Sequence, residues 1–418
     1  MDILPLRTVA PDQSKTRIAG FEVVRALAVL GVVALHACVP YLRHPMPGLT
    51  WSVTDHSDNV VDFAFWAIEV FIMPLFLALA GFFAWQTLTH RGPGVLVRSR
   101  AKRLLIPLMF GCLVILPIDL HVWVLGWVAE GWVEPVKLRS FKFDGDIDRN
   151  LWGTCHLWFL QYLFLYVALL AGWRVAEQKS RLLGRLRAST GTVAIALFAI
   201  ACATLLVRPN VVWGFQHAFA PVPSKWIYSG AFFFGGVLLA SADPQLHRLQ
   251  STAGRLAASA ILLLIAAVTI GRWHLAGGEG TVALSSLALL TVAAAAATTF
   301  GILGLAARHG RTVPNAVRYL AAASFWVYLV HHPLVAIVHQ DLKWLWPQAS
   351  PILKAVLSTG LTAAVSLLTY EGLVRTTRLG RLLGFSWTMS SPPPSQEIPA
   401  SETPHRPGGT ETPDRRAA

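Results

Sequence analysis

Residues 18–40 read IAGFEVVRALAVLGVVALHACVP, an apolar run long enough to cross a bilayer that nevertheless carries Arg25 and His36. About twenty apolar residues in a helix span the roughly 30 Å of hydrocarbon, so the run predicts a membrane helix. Arg25 and His36 are eleven residues apart. That is close to three helical turns, so both side chains leave nearly the same face, roughly 16 Å apart along the axis. Ionisable side chains at membrane depth are costly, and their presence marks a site rather than a packing accident.

The rest of the chain agrees with this first stretch. Its 418 residues are 54% hydrophobic and only 14% charged, where a soluble domain carries about a quarter charged residues. The mean hydropathy is +0.53. Segments such as 261–270 and 282–297 are apolar or small on every side, a pattern that suits lipid or the inside of a bundle. The fold class expected is an all-α polytopic membrane bundle of about ten transmembrane helices. The spans fall near 18–40, 60–88, 104–126, 154–174, 190–207, 225–241, 254–272, 282–306, 317–339 and 351–374. Pro107 and Pro117 lie inside the third, which predicts a kink or a broken helix there.

The net charge of +13 is not gathered into one patch, so it argues against a nucleic-acid partner. The cations fall in alternate loops: Arg7, Lys15 and Arg17; Arg91 to Arg103; Arg174 to Arg187; Arg248 and Arg255; Arg308 and Arg311; Arg375 to Arg381. Loops on the other side carry Asp55, Asp58, Glu130, Asp144, Asp146 and Asp148. The positive-inside bias then sets both termini on the cytoplasmic side. The domain plan is a cytoplasmic segment 1–17, a membrane domain 18–375, and a cytoplasmic tail 376–418 that is rich in Pro, Ser, Thr and Gly and mostly disordered. The longest outer loop runs from Trp127 to Gly153, either as a cover over an external opening or as a solvated connection.

Several further side chains within or beside the spans form a possible polar cavity: Glu22, Glu69, His156, His331 and His332, with Asp119 and His121 in the third span as lesser candidates. Glu22 and Arg25 at i, i+3 can pair, which lowers the cost of an intramembrane guanidinium. Arg25 can also snorkel to the inner interface. Glu69 calls for a partner such as His or Arg, since an unpaired buried carboxylate is expensive. A neutral imidazole at His36 suits general-base chemistry near neutral pH. Arg100 and Arg103 at the start of the third span either follow the positive-inside bias or grip phosphate oxygens in bidentate fashion. The four cysteines, Cys38, Cys112, Cys155 and Cys202, show no metal-ligand spacing. They read as packing residues, and no metal is expected.

These residues together resemble the membrane acyltransferase type 3 family. The carriers are Glu22-Val-Val-Arg25 with His36 on the first helix, Met73-Pro-Leu-Phe76 on the second, and the R-x-x-R of Arg100 and Arg103 before Leu104-Leu-Ile-Pro107. His156-Leu-Trp-Phe-Leu160 and Ser324-Phe-Trp-Val-Tyr-Leu-Val-His331-His332-Pro333 continue the order. Within the family the chain looks closest to the periplasmic-glucan succinyltransferase branch, glucan biosynthesis protein C. Glu22 stands where an Asp commonly opens the first motif, which keeps the charge.

The resemblance implies an O-acyltransferase of the bacterial-type cytoplasmic (inner) membrane. It would move an acyl group from cytoplasmic acyl-CoA, acetyl-CoA or succinyl-CoA, to a hydroxyl of an extracytoplasmic glycan or lipid-linked sugar. Arg100 and Arg103 would bind the donor, and His36 would act as base. Arg25 would serve as a catalytic partner that stabilises the oxyanion, orients the donor, or pairs with Glu22. A transporter or flippase of a glycan or lipid precursor is the alternative that the buried charges also allow.

Overall fold

The computed structural model describes residues 19–140, 142–143, 151–180, 189–216, 218–310 and 313–384. The 1–17 segment, the tail beyond 384 and the charged positions Asp144, Asp146, Asp148, Arg181, Arg185, Arg187 and Arg311 lie outside the described residues. Among the described residues ten helices build the bundle: α1 (Ala19–Cys38), α2 (Asn59–Phe110), α3 (Leu116–Ala129), α4 (Trp158–Lys179), α5 (Thr190–Val207), α6 (Pro223–Ala242), α7 (His247–Leu275), α8 (Thr281–His309), α9 (Asn315–Leu345) and α10 (Pro351–Leu373). Two short helices, Lys137–Ser140 and Arg378–Leu382, accompany them, and there is no strand among the described residues.

The molecule is an all-helical polytopic membrane protein. Eight runs among the described residues are long and apolar enough to cross a membrane. Large apolar side chains also stand on the outside of the bundle, among them Leu113, Ile195, Leu262 and Leu368. Water would penalise such a belt, whereas lipid covers it. The run Asn59–Ala129, 71 residues long, contains two of the ten spans expected from sequence. At 1.5 Å per residue it would reach about 106 Å if straight, far beyond one crossing. It breaks at Gly92, whose φ of 81° and ψ of 168° are non-helical. Met73 and Leu104 then line one cavity, although a straight helix would hold them about 46 Å apart. Helix α6, which opens with the polar residues Ser224 and Lys225, is not among those eight runs.

Local chemistry explains the element limits. Asp58 caps α2 by accepting hydrogen bonds from Val60 N at 2.7 Å and Val61 N at 3.0 Å, and Ser189 caps α5 from Thr192 N. These side-chain oxygens satisfy N–H groups that the first turn leaves bare. Pro107 and Pro117 flank a π-helical turn, Gly111–Ile115, which is the irregularity their missing N–H groups predict.

Helix α1 lies at the centre, packed against α2, α8, α9 and α10. Helices α5 and α7 are peripheral and leave most of their surface outward. Between α2 and α6 the backbones nearly touch. A Cβ on Gly81 would stand 1.9 Å from the Phe233 carbonyl oxygen, and one on Gly236 would stand 1.9 Å from that of Ala78. Small residues at facing positions are how membrane helices gain close packing without a hydrophobic drive between them.

Buried ion pairs fasten the loop that follows α1. Lys354 Nζ of α10 lies 2.7 Å from Asp55 Oδ2, and both side chains are almost fully buried. Asp62 at the start of α2 receives Arg272 Nε of α7 at 2.9 Å and His44 Nδ1 at 3.0 Å. After α10 the chain turns back, so that Leu383 is buried and, with Gly384, lines the same cavity as α1.

Candidate active site

Two adjoining regions hold nearly all of the expected functional residues. The first is a cavity of about 640 Å³ lined by α1, α2, α4, α9, Tyr370 of α10 and the returning segment at Leu383 and Gly384. Glu22, Arg25, Arg100 and Arg103 share its wall, and the rest is largely apolar, as at Met73, Phe76, Phe159 and Phe325. Three guanidinium groups against one carboxylate make it a place for an anion with an apolar extension. Arg25 reaches α9, where Nη2 donates to the Ala321 carbonyl at 3.2 Å and to Ser324 Oγ at 3.3 Å. The structure therefore sets Arg25 with Arg100 and Arg103 and apart from His36.

The second region is a cluster of imidazoles beyond the Val32 end of that cavity. Val32 and Tyr328 line the cavity, and His36 and His332 follow them by four residues, one turn or about 6 Å further along α1 and α9. The His36 ring lies 4.9 Å from that of His331 and 5.0 Å from that of His332. His156 stacks on His332 at 4.7 Å with the rings only 10° apart. The sequence-expected histidines thus converge, coming from α1, α9 and the turn before α4.

Hydrogen bonds to backbone carbonyls assign the tautomers, because a carbonyl only accepts. His331 Nδ1 donates to the Tyr328 carbonyl at 2.7 Å, which leaves Nε2 as an acceptor. His36 Nδ1 lies 2.9 Å from the Val32 carbonyl and 3.3 Å from His331 Nε2. The hydrogen of His36 is therefore on Nδ1, and Nε2 carries the lone pair. His156 Nε2 donates to the Leu329 carbonyl at 3.1 Å. That carbonyl is available because Pro333, four residues on, has no N–H to offer it.

Around this cluster stand Asp119, a lesser candidate from sequence, and further residues whose part the sequence did not reveal. His332 Nδ1 donates to Asp119 of α3, at 2.7 Å to Oδ2, and Cys155 Sγ lies 3.7 Å from His332 Nε2. Trp51 comes from the loop between α1 and α2. Its ring is 5.0 Å from that of His332, and its Nε1 donates to His339 Nδ1 at 3.0 Å. Trp127 Nε1 in turn donates to the Trp51 carbonyl at 2.8 Å. The described loop that lies directly against the imidazoles is therefore 42–58, with the 127–153 segment contributing Trp127 beneath it. Trp51 carried no periodic signal, because it sits in an irregular stretch between two helices.

Glu69 joins neither region. It faces a small separate cavity together with Lys225, whose Nζ lies 4.0 Å from the centre of the Trp158 ring. The expectation of a His or Arg beside Glu69 gives way to a lysine, Lys225 in the first turn of α6. His121, near the middle of α3, is exposed, and its Nδ1 bonds the Pro117 carbonyl of its own helix. Cys38 and Cys155 are both buried and are not joined in a disulfide.

With this geometry in view, comparison with known proteins is decisive for the family. The acyltransferase-domain family model, that of the membrane acyltransferase type 3 family, matches residues 18–371. The chain belongs to that family. The match takes in the imidazole cluster and most of the cavity wall, from Glu22 to Tyr370, while Leu383 and Gly384 lie beyond it. No curated protein and no solved structure matches the chain. Membership makes the protein a membrane acyltransferase in general terms, and its helices make it multi-pass.

Proposed function

We propose that the protein transfers an acyl group from cytoplasmic acyl-CoA to a hydroxyl of an extracytoplasmic acceptor, with His36 as the general base. The observation that carries this reading is the alignment of the two regions along α1. The cavity with Arg25, Arg100 and Arg103 stops at Val32, one turn before His36. The phosphorylated end of CoA suits the three guanidiniums, which match phosphate oxygens in charge and in fork geometry. The apolar wall at Met73, Phe76 and Phe159 suits the pantetheine arm and the acyl group.

In this scheme His36 Nε2 takes the proton of the acceptor hydroxyl as its oxygen attacks the thioester carbonyl. The tetrahedral intermediate collapses, the carbon–sulfur bond breaks, and CoA leaves as the thiolate, which regains a proton. His36 then carries a positive charge, and its Nδ1–H already faces His331 Nε2 at 3.3 Å, so the neighbouring imidazole shares that charge. Arg25 orients the donor, since it stands with the other arginines about 16 Å along the axis from His36. The loop cation pattern supports a cytoplasmic donor side, both termini inside, and residence in a bacterial-type inner membrane. The resemblance to the glucan biosynthesis branch supports a glycan acceptor, with acetyl-CoA or succinyl-CoA as donor.

Purified protein in liposomes, given acyl-CoA and a glycan acceptor, tests the reading. The expected result is release of free CoA thiol that depends on the acceptor, with a matching acyl ester on the glycan. Gradient-driven movement of the glycan with no acyl consumption would favour the transporter instead.

A further inference from the structure

Asp119, Cys155, His156 and His332 reach one another from three separate segments: α3, the turn before α4, and the middle of α9. All four are buried, and a potential ligand atom of each lies within 4.8 Å of the others. Two features of this group are left over by packing and by acyl transfer alike. With its hydrogen on Nε2, His156 keeps a lone pair on Nδ1, which is buried and has no hydrogen-bond partner. Leaving such an atom unsatisfied costs about 1–3 kcal/mol. Cys155, beside it, has a φ of 46°, a left-handed conformation that costs a residue with a Cβ on the order of 1 kcal/mol. Its thiol is thereby held 3.7 Å from His332 Nε2 and 3.9 Å from Asp119 Oδ2.

We infer that these four side chains form a binding site for a divalent transition-metal cation, with zinc the best match. One thiolate, two imidazoles and one carboxylate are the donor types zinc takes in four-coordinate sites. The charges also balance. Binding releases the Cys155 thiol proton to solvent, and thiolate plus carboxylate then neutralise the 2+ ion inside a buried site that tolerates no net charge. Tetrahedral zinc needs ligand atoms about 3.3–3.6 Å apart, so the group closes by roughly 1 Å around the ion and the His156 ring turns out of its parallel stack on His332 to aim Nδ1 at it. His156 Nδ1 gains the partner it lacks. Asp119 serves either by direct ligation or by holding His332 through Nδ1, the arrangement in which a carboxylate orients a metal-bound imidazole. Sequence spacing conceals such a site, because only Cys155 and His156 are neighbours in the chain. His36 stays outside the ligand set, so the site stands or falls independently of the acyl-transfer reading.

The test uses the full chain purified in detergent with a tag free of histidine, and its readout is metal rather than activity. Elemental analysis should find about one zinc per chain. After chelation, added Co²⁺ should give a near-ultraviolet thiolate-to-cobalt charge-transfer band, which requires a cysteine ligand and no variant. Cys155→Ser should abolish that band, and His156→Gln should weaken Co²⁺ binding at least about tenfold, each in protein that still elutes as a single species. His121→Gln, on the exposed face of α3, should leave the band unchanged. Zinc below about a tenth of an equivalent with no charge-transfer band would overturn the proposal, as would metal retained undiminished by Cys155→Ser.

Discussion

Removing the Arg100 guanidinium should weaken use of acyl-CoA far more than use of acyl-pantetheine, which lacks the nucleotide phosphates. Arg100 is half-buried in the cavity wall beside Arg25, whereas Arg103 on the same wall is exposed. A hydrogen bond to a charged group contributes about 1.5–3 kcal/mol when shielded from water, and about 0.2–1 kcal/mol when the pair is solvated. At 1.4 kcal/mol per factor of ten, Arg100→Ala should raise the apparent KM for acyl-CoA about 10- to 100-fold. Arg103→Ala should raise it only about 2- to 5-fold by the same conversion. Arg100→Lys should fall between wild type and Arg100→Ala, because it keeps the charge and loses the fork. Release of CoA or pantetheine thiol, followed with a thiol-reactive dye at fixed acceptor, gives both KM values. An equal penalty on acyl-pantetheine would refute the assignment of the arginines to the phosphates. So would a larger effect from Arg103→Ala than from Arg100→Ala.

Two further predictions concern the scaffold. Lys354→Ala strands Asp55 as a buried unpaired carboxylate and should cost about 3–5 kcal/mol. Lys354→Met combined with Asp55→Leu should recover most of that loss. Thermal unfolding in detergent separates the two cases, and equal damage from the single and the double variant would contradict the pairing. Gly81→Ala places a methyl against the Phe233 carbonyl and should destabilise the bundle by about 1–3 kcal/mol as α2 and α6 are forced apart. The same substitution at Gly94, where a Cβ would meet nothing within 4 Å, should not lower stability through crowding.

Much of the architecture was legible because lipid imposes a simple rule. A helix must be apolar over a bilayer's thickness, so spans, the irregularity between Pro107 and Pro117, and the oddity of Arg25 and His36 all follow from composition. The convergence of His36, His156, His331 and His332 was legible in kind but not in geometry, since it depends on α1 and α9 packing in one register. Asp119 and Cys155 were harder to see. Asp119 stands out as a carboxylate in an apolar span but shows no partner in its own stretch, Cys155 looks ordinary beside its neighbours, and both become polar machinery only when α3 and the turn before α4 meet α9. Trp51 and Lys225 lie at helix ends or in loops, where side-chain periodicity carries no signal. The α2 run illustrates the opposite case: its break at Gly92 sits within Arg91-Gly-Pro-Gly94, a stretch whose charge and turn residues announce the reversal.

The central claim is that His36 takes the acceptor's proton, and His36→Gln tests it most directly. The variant keeps a polar side chain of similar reach at that position but offers no imidazole lone pair. In liposomes with radiolabelled acyl-CoA it should still bind donor, retain the folded bundle, and transfer at least about a hundredfold less acyl group to the glycan, the lower range of general-base contributions. Transfer at the wild-type rate by folded His36→Gln protein would contradict the account.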